Sequence, residues 1–571
     1  MLHNTLCSGG RELANQQAGG QPVYILREGS TRSRGREAQT YNIMAAMAVA
    51  EAVRSTLGPK GMDKMLVDPT GNVTVTNDGA TILREVDIEH PAAKMIVEVS
   101  KTQDDEAGDG TTTAVVFAGE LLKKASELIE MDIHPTVIAA GYRAAAEKAK
   151  EILNEMTIPV EKTNKAQLKE IAMTAMTGKV AGGIGDMLSK LAVDAVLAVE
   201  EKGKVDVDNI KIEKKVGPGV TASEMIKGIA LDKKRASEGM PKSVSDAKIL
   251  LVNVPLEVRK IGADTSIKIR KPEQMKSFLD QEHGQLQRKV DAILKSGANV
   301  VFCQKGIEDL MANNLGREGI FAIKSVSETD MGKLAKATGG RVVTKLEENM
   351  SKDLGHARLV EERRVTGEDT LTFVEGCKNP KAITILLRGG TYTLIDELQR
   401  ALHDALRVTG VAVEDGKIVA GGGAPEVELS LRLREYAATV GGREQMAAEA
   451  FASALDVVPR TLAENAGLDP IDMLVALRSK HESKGGKNFG LNVFKGKPED
   501  MLKEGVIEPL RVKTQVISSA TEAATMILRI DDVIASGGPS EQEIAQAQAS
   551  AQQSLAHMRG GGMGGMPPMG M

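Results

Sequence analysis

The chain has 571 residues, of which 42% are hydrophobic and 26% charged, with a net charge of −5. That length predicts about four domains, and the apolar content predicts sizeable buried cores. The mild negative charge gives no electrostatic footprint for nucleic acid, no apolar run approaches a membrane span, and the polar stretch Met1–Gly20 lacks the apolar core of a secretory signal, so none is expected.

Three cysteines, Cys7, Cys303 and Cys377, are scattered without metal-ligand spacing. They predict a reducing compartment and buried or incidental thiols. Aromatics make up 2% of the chain, Trp is absent and Met numbers 26. Core volume must therefore come from Ala, Val, Ile, Leu and adaptable Met side chains.

Residues 1–21 are rich in Gly and Gln and are expected to be disordered. Val23 to Leu26 has the composition of a short strand, and Arg27, Arg32, Arg34 and Arg36 form a basic run that reads as solvated surface. Ile43, Met47, Ala50, Val53 and Leu57 recur at helical spacing, and Gly58-Pro59 stops that helix. Met65 to Val75 reads as a hairpin around Pro69-Thr70-Gly71-Asn72, and Asn77-Asp78-Gly79 as a tight turn. Helices follow over Pro91–Thr102, Thr111–Met131 and Pro135–Met156, with each leading proline in the first turn, where it is tolerated.

Further on, Lys165–Met176 reads as a helix, Thr177-Gly178-Lys179 as a turn before another helix, and Val205–Val207 and Ile210–Glu213 as strands. Lys248–Val254 has the continuous apolar character of a buried strand. Pro272–Leu294 carries Phe278, Leu286, Val290 and Ile293 on one helical face. Strands at Asn299–Cys303 and Ile320–Val326 alternate with helices at Ile307–Leu315 and Asp330–Thr338, the pattern of an α/β domain. Ala382–Leu387 is a strand running into Arg388-Gly389-Gly390 and a helix through Leu406. From Glu426 onward the chain is helical again, with a strand-like break at Leu491–Phe494. Helical blocks thus open and close the chain around an α/β centre, which is compatible with a nested insertion. The Gly/Met-rich stretch from Gly560 to Met571 is low-complexity and expected to be flexible.

The most informative segment is Gly108-Asp109-Gly110-Thr111-Thr112-Thr113, between acidic Gln103–Ala107 and the apolar-periodic run Ala114–Ile129. Glycines let backbone N–H groups approach an anion, and a helix start presents unpaired N–H groups. Asp109 repels a bare phosphate but can hold Mg2+, which binds hard oxygens. The same composition also suits an ordinary capped turn. Three more turns carry Gly or acid at similar places: Leu57-Gly58-Pro59-Lys60-Gly61, Asn77-Asp78-Gly79 and Gly421-Gly422-Gly423-Ala424-Pro425-Glu426. No Gly-Lys pair precedes Ser or Thr, so an ATPase here is not of the P-loop kind.

In this order, and together with Thr56–Leu66, Asn77–Leu83, Ala114-Val115-Val116 and Glu508-Pro509-Leu510-Arg511-Val512-Lys513-Thr514-Gln515, these segments resemble a group II chaperonin, the archaeal thermosome type related to the eukaryotic cytosolic chaperonin. The resemblance spans about Gly20 to Gly538. It implies a multidomain α+β and α/β chaperonin-type fold. A mostly helical equatorial domain is expected from 22–160 and 421–545, and a small α/β intermediate hinge domain from 161–230 and 386–420. An inserted α/β apical domain is expected at 231–385, with a helical lid protrusion at about 258–285. Residues 546–571 would be a flexible tail. Residues 1–13 extend beyond the usual family start, and Val180–Gly185 is more Gly-rich than the family pattern.

The resemblance also implies an ATP-dependent, Mg2+-using chaperone that encloses non-native polypeptides in a double ring of itself or paralogous subunits. It would be cytoplasmic and act with no nucleic acid, membrane or separate lid co-chaperonin. Carried over position by position, Asp109 is the expected Mg2+ ligand, with Gly108, Gly110, Thr111, Thr112 and Thr113 around the phosphates. Leu57, Gly58 and Pro59 would lie against the nucleotide. Asp78 and Asp404 are the expected hydrolytic carboxylates, Lys179 a γ-phosphate sensor, and Gly422, Gly423, Asn492 and Glu508 base and ribose contacts. The rival readings are a ring- or filament-forming holdase without productive ATP-driven folding, and a small-molecule kinase or hydrolase using the same acidic site.

Overall fold

Helix starts follow from caps that the sequence advertises. In the computed structural model, which describes residues 31–179, 182–257, 272–346, 350–367, 369–378 and 380–535, Pro91 and Pro135 begin their helices behind His90 and His134, whose ring nitrogens accept from Ala92 and Thr136 N–H. Asn164 caps the Lys165–Met176 helix through the N–H of Gln167. The Thr111–Glu130 and Pro135–Glu155 helices end within a residue of expectation. The Pro91–Ala107 helix runs past Thr102, because the acidic residues continue it until Gly108 turns left-handed at φ 72°.

Met1–Tyr41 with Ile530–Met571, and Asn42–Arg529, form two compact units. In the first, the strand Thr31–Arg34 pairs antiparallel with Asp532–Ala535, and Arg32 Nε donates to Asp532 Oδ1 at 2.9 Å. Arg32 and Arg34, expected to be solvated, both face Asp532. Arg27, the strand expected at Val23–Leu26, the residue 1–13 extension, Cys7 and the Gly560–Met571 stretch lie outside the described residues.

The second unit contains several hydrophobic clusters. The largest draws on both chain ends, from Ile43 to Met156 and from Val419 to Leu528. Its centre is a small aromatic group: Phe451 meets Phe117 and Tyr142 edge-on at centroid distances of 5.5 and 5.7 Å. Tyr142, fully buried, donates its hydroxyl to Leu121 O at 2.8 Å.

A second cluster surrounds a three-stranded sheet in which Ile383–Gly389 lies between Ile210–Val216, parallel, and Glu224–Ile226, antiparallel. The helices Lys165–Met176, Gly182–Val199 and Tyr392–Asp415 contribute to it. A seven-stranded mixed sheet holds the centre of the sequence. Along it run Phe321–Ile323, Val300–Cys303, Ser243–Val252, Gly355–Thr366, Asp369–Glu375 and Gly228–Leu231, with Val342–Val343 beside Ser243–Val252. Its faces are covered separately. Ile249 and Leu251 join one apolar cluster, and Leu250 and Val252 the other, as a period of two requires. Leu286, Val290 and Ile293 of the Pro272–Ser296 helix pack on the second face. Phe278's side chain and residues 258–271 of the expected protrusion lie outside the described residues.

Several expectations need correction. Val205–Val207 is not a strand. Asp206 caps Asp208 N–H at 3.2 Å and starts a 3-10 turn over Val207–Asn209. The first helix stops at Arg54, short of Leu57. Asp78 does not sit in a free tight turn but caps the Gly79–Glu85 helix. The helix expected to Leu406 continues to Asp415, and the strand at Ile320–Val326 shrinks to Phe321–Ile323. The hairpin of Gly355–Thr366 and Asp369–Glu375 went unseen. Its charged run Glu361–Arg364 hides the alternation, and Arg363 spans both strands to Glu375 at 2.8 Å. Cys303 and Cys377 are buried and free, with burial pushing both thiols up to about 11, so they are inert as expected. Among the described residues no helix is long and apolar enough to cross a membrane.

With so few aromatics, each carries a large share of packing. Phe451→Ala is expected to cost about 3–5 kcal/mol, read as a lower midpoint of thermal or guanidinium unfolding.

Candidate functional site

The four Gly- and acid-bearing turns converge on one cavity of 410 Å3, within the ~300–1,000 Å3 range of ligand clefts. Leu57, Gly58, Pro59, Asp78, Asp109, Gly110, Thr111, Thr112, Thr113, Lys179, Gly422, Gly423, Asn492 and Glu508 all line it. Two of the residues singled out do not. Gly108 faces the Tyr392–Asp415 helix, where a Cβ would fall 2.1 Å from Arg407 Cβ. Its lack of a side chain therefore serves helix approach, not ligand approach. Asp404 lies one contact behind the wall, bonded to Lys179.

The phosphate-type end begins at the Thr111–Glu130 helix. Its N-cap, Gly110, has no side chain to offer, so no side-chain cap occupies the first N–H groups of a 20-residue helix. Asp109 Oδ1 accepts from Gly110 N–H at 2.8 Å. Its carbonyl accepts from Gln103 Nε2 at 2.7 Å, and Gln103, completely buried, also reaches Val512 O at 3.3 Å. Asp78 Oδ2 accepts from the N–H and hydroxyl of Thr81 at 2.8 and 2.7 Å, while Oδ1 faces the Thr111 hydroxyl at 3.3 Å.

The opposite wall comes from a different segment. Gly178, at φ 91°, brings the Thr177-Gly178-Lys179 turn so close to the Leu57–Lys60 loop that a Cβ would sit 2.9 Å from Pro59 Cα. Asn77 Nδ2 reaches Gly178 O at 3.2 Å, and Asn77 Oδ1 is buried without a partner. Lys179 Nζ then meets Asp404 Oδ2 at 2.5 Å, with side-chain exposures of 17% and 10%.

Electrostatics divides the three carboxylates. Burial pushes Asp78 up, but Lys179 and the hydrogen bonds from Thr81 outweigh it and hold the group below the usual carboxylate range. Burial pushes Asp404 well above that range; Lys179 opposes this and the charges of Asp78 and Asp109 reinforce it. Burial disfavours the Lys179 cation, but Asp404, Asp109 and Asp78 together hold its proton more tightly than usual. The ammonium is thus secure, and Asp404 is more basic than Asp78.

The far end of the cavity is more apolar. Leu491, Val493, Phe494, Met501, Val458 and Leu462 line it beside Gly422 and Gly423. Asn492 Oδ1 accepts from the N–H groups of Phe494 and Lys495, both at 3.1 Å, and so shapes the turn there. Glu508 shares Lys513 with Glu426, each carboxylate 2.9 Å from Nζ. Burial pushes Glu508 up against the pull of Lys513, while the two carboxylates outweigh burial and raise Lys513. Sequence reasoning gave no role to Asn77, Gln103, Glu426, Lys513 or Phe494. Asn77, Glu426 and Lys513 stood inside quoted motifs; the burial of Gln103 left no sequence signal.

The donor set fits a magnesium–nucleotide ligand. Asp109 stands with uncapped helix N–H groups and three hydroxyls, and Asn77 Oδ1 is an orphan acceptor on the wall. Asp109 belongs to no cluster of three protein ligands among the described residues. A cation there would keep mostly water and phosphate oxygens, as Mg2+ does.

Comparison with known proteins agrees with this arrangement. A family profile described as the TCP-1/cpn60 chaperonin family matches residues 49–537. The chain is 57% identical over 554 residues to thermosome subunit beta of Archaeoglobus fulgidus, covering 96% of this chain and 98% of the relative. It is 58% identical over 520 residues to the thermosome subunit of Methanopyrus kandleri, covering 90% and 95%. It is 55% identical over 538 residues to thermosome subunit alpha of Archaeoglobus fulgidus, covering 94% and 98%.

Removing the shared cation at the far end would leave two buried carboxylates facing each other. Lys513→Met is expected to destabilise the fold by about 3–5 kcal/mol, measured as a reduced denaturant midpoint, with Glu508→Gln in the same background restoring part of the loss.

Proposed function

Because the chain belongs to the TCP-1/cpn60 chaperonin family, we propose that the cavity described above is where its ATP is bound and hydrolysed. The protein is an ATP-dependent chaperonin, an ATPase that uses hydrolysis to drive protein folding. A passive holdase or structural assembly is not favoured. The observation that carries the site reading is the meeting of Asp78, Asp109 and Lys179, with Asp404 behind them, at an uncapped helix start.

In this reading the N–H groups and hydroxyls of Thr111, Thr112 and Thr113, with Gly110 at the helix cap, receive the phosphates. Leu57, Gly58 and Pro59 lie along the nucleotide, and Gly422, Gly423, Asn492 and Glu508 bound the base and ribose. Asp109 holds Mg2+, which when bound spreads the charge developing on the transferred phosphoryl group. Asp78, ionised and hydrogen-bonded, orients the terminal phosphate region. Asp404 takes a proton from the attacking water; its raised basicity suits that task. Lys179 leaves Asp404 for the terminal phosphate when nucleotide is present, so its position reports what is bound.

The domain assignment belongs to the same proposal. Residues 22–160 and 421–545 form the equatorial domain, 161–230 and 386–420 the intermediate hinge, and 231–385 the apical domain. Support comes from the apolar clusters, which group residues in nearly this way. Lys179 and Asp404 then belong to the hinge, whereas Asp78 and Asp109 belong to the equatorial part. Contact between them exists only when the hinge is down, so the nucleotide state biases the hinge angle. The Pro272–Ser296 helix forms part of a built-in lid, and the cytoplasmic ring, homo- or hetero-oligomeric, encloses non-native clients without a separate lid protein.

Recovery of a denatured client with ATP, but not with a non-hydrolysable analogue, tests the coupling. Asp404→Asn is expected to lower phosphate release by about 10²-fold or more, with the ATP Kd from calorimetry nearly unchanged; a parental rate refutes the role. Asp404 must be ionised to accept a proton, so kcat should fall as pH drops through its raised pKa. The acid limb should lie above the ordinary carboxylate value of about 4, and Lys179→Met, which removes the opposing charge, should shift it higher still in a pH–rate profile.

A further inference from the structure

Hydrolysis leaves a proton on Asp404, and a carboxyl that is nine-tenths buried cannot return it directly to bulk water. The structure supplies neighbours for it. Asp104, His403 and Asp404 each bring one carboxylate oxygen or ring nitrogen within 4.8 Å of the others, a span crossed directly or through one water. His403 and Asp404 stand on the Tyr392–Asp415 helix, and Asp104 on the last turn of Pro91–Ala107. The two helices are drawn together at this point by Gly108, which leaves room for Arg407, and by Arg407 Nη1 donating to Asp105 O at 2.9 Å.

Exposure increases from Asp404 to Asp104. The Asp404 side chain is 10% exposed and that of Asp104 24%, and His403 is half-buried. Around the imidazole stand Arg407 on its own helix, Asp104 on the neighbouring one, Asp78 at the cap of Gly79–Glu85 and Asp208 in the Val207–Asn209 turn. Arg84 approaches Asp104 at 3.9 Å from the outside. Burial and Arg407 outweigh the three carboxylates, so the ring is held below its ordinary value and is neutral near pH 7. A neutral imidazole accepts a proton at its unprotonated nitrogen. Burial, helped by Asp78, holds Asp104 above the usual carboxylate range, so it can carry a proton briefly before losing it to solvent.

We propose that His403 and Asp104 form the proton exit of the hydrolytic site. The water oxygen bonds to the terminal phosphorus, the bridging P–O bond breaks with its electron pair leaving on ADP, and the water's proton passes to Asp404. Asp404 hands it to the unprotonated ring nitrogen of His403 that faces both carboxylates, and the same nitrogen then gives a proton to Asp104. Asp104 releases it to water, and the ring returns to its first tautomer. No oxidant or second substrate is needed. His403 and Asp104 act through Asp404 and are positioning residues. The inference rests on the reading that Asp404 accepts the water's proton.

The test uses the full-length assembled protein, with assembly checked by light scattering. His403→Gln is expected to lower kcat on the order of tenfold near neutral pH with the ATP KM unchanged. The loss should be partly restored by added imidazole and should shrink as pH rises. Asp104→Asn should show the same pattern in weaker form and serves where His403→Gln fails to assemble. A kcat for both variants within about twofold of the parent, or a loss that neither imidazole nor pH relieves, overturns the relay. Asp404→Asn separates the two levels: if it is inactive while His403→Gln is parental, only the relay fails, and if it turns over at the parental rate, the reading beneath it fails as well.

Discussion

Three carboxylates and one ammonium share a space from which water is largely removed. Asp78, Asp109 and Asp404 crowd the single ammonium of Lys179, and the charges of Asp78 and Asp109 add to burial in driving Asp404 well above the usual carboxylate range. Burying such an excess is costly unless further cations or donors arrive. Lys179 and Asp404 relieve part of it by pairing at 2.5 Å, and Asp78 relieves its own share through Thr81. What remains favours a cation beside Asp109. The site is therefore incompletely balanced by the chain alone. A site satisfied by its own side chains would have no reason to bind anything.

The scaffold that sustains this imbalance is built mostly without large side chains. Alanine and small aliphatics dominate the cluster formed by both chain ends, with Phe117, Tyr142 and Phe451 as its few aromatic anchors. Small residues let helices approach closely, so the loops at their ends converge on the cavity with little slack. The Gln103 amide holds Asp109 and also reaches Val512, 409 residues further along the chain than Gln103. Neither chain end forms the cavity by itself.

Much of this was legible beforehand, for identifiable reasons. Pro91, Pro135 and Asn164 announced helix starts because capping chemistry is local. The turns at Leu57, Asp78, Asp109 and Gly422 were readable because glycine and acid together at a helix entry have few uses, and their order along the chain carried the family. Features that depend on distant packing were not readable. Gly108 looked like part of a phosphate loop but serves as a notch for Arg407. Lys513 stood in the Glu508–Gln515 segment without a role, yet it is buried between two glutamates from separate segments. The hairpin through Glu361–Arg364 escaped because its charges mask a period of two. The expected strand at Val205–Val207 lost to the side chain of Asp206, which offered the backbone a turn instead.

The strand Glu224–Ile226, the last of this sheet before the chain enters the central one, lies antiparallel to the returning Ile383–Gly389, with Ile226 opposite Thr384. The chain therefore departs toward its central sheet and comes back through neighbouring lanes of one ribbon. The two covalent crossings lie side by side, so a pull or twist carried by the backbone between residues 227 and 383 is delivered along both lanes together. The inserted segment can lengthen, shorten or be exchanged without altering the distance its ends must bridge.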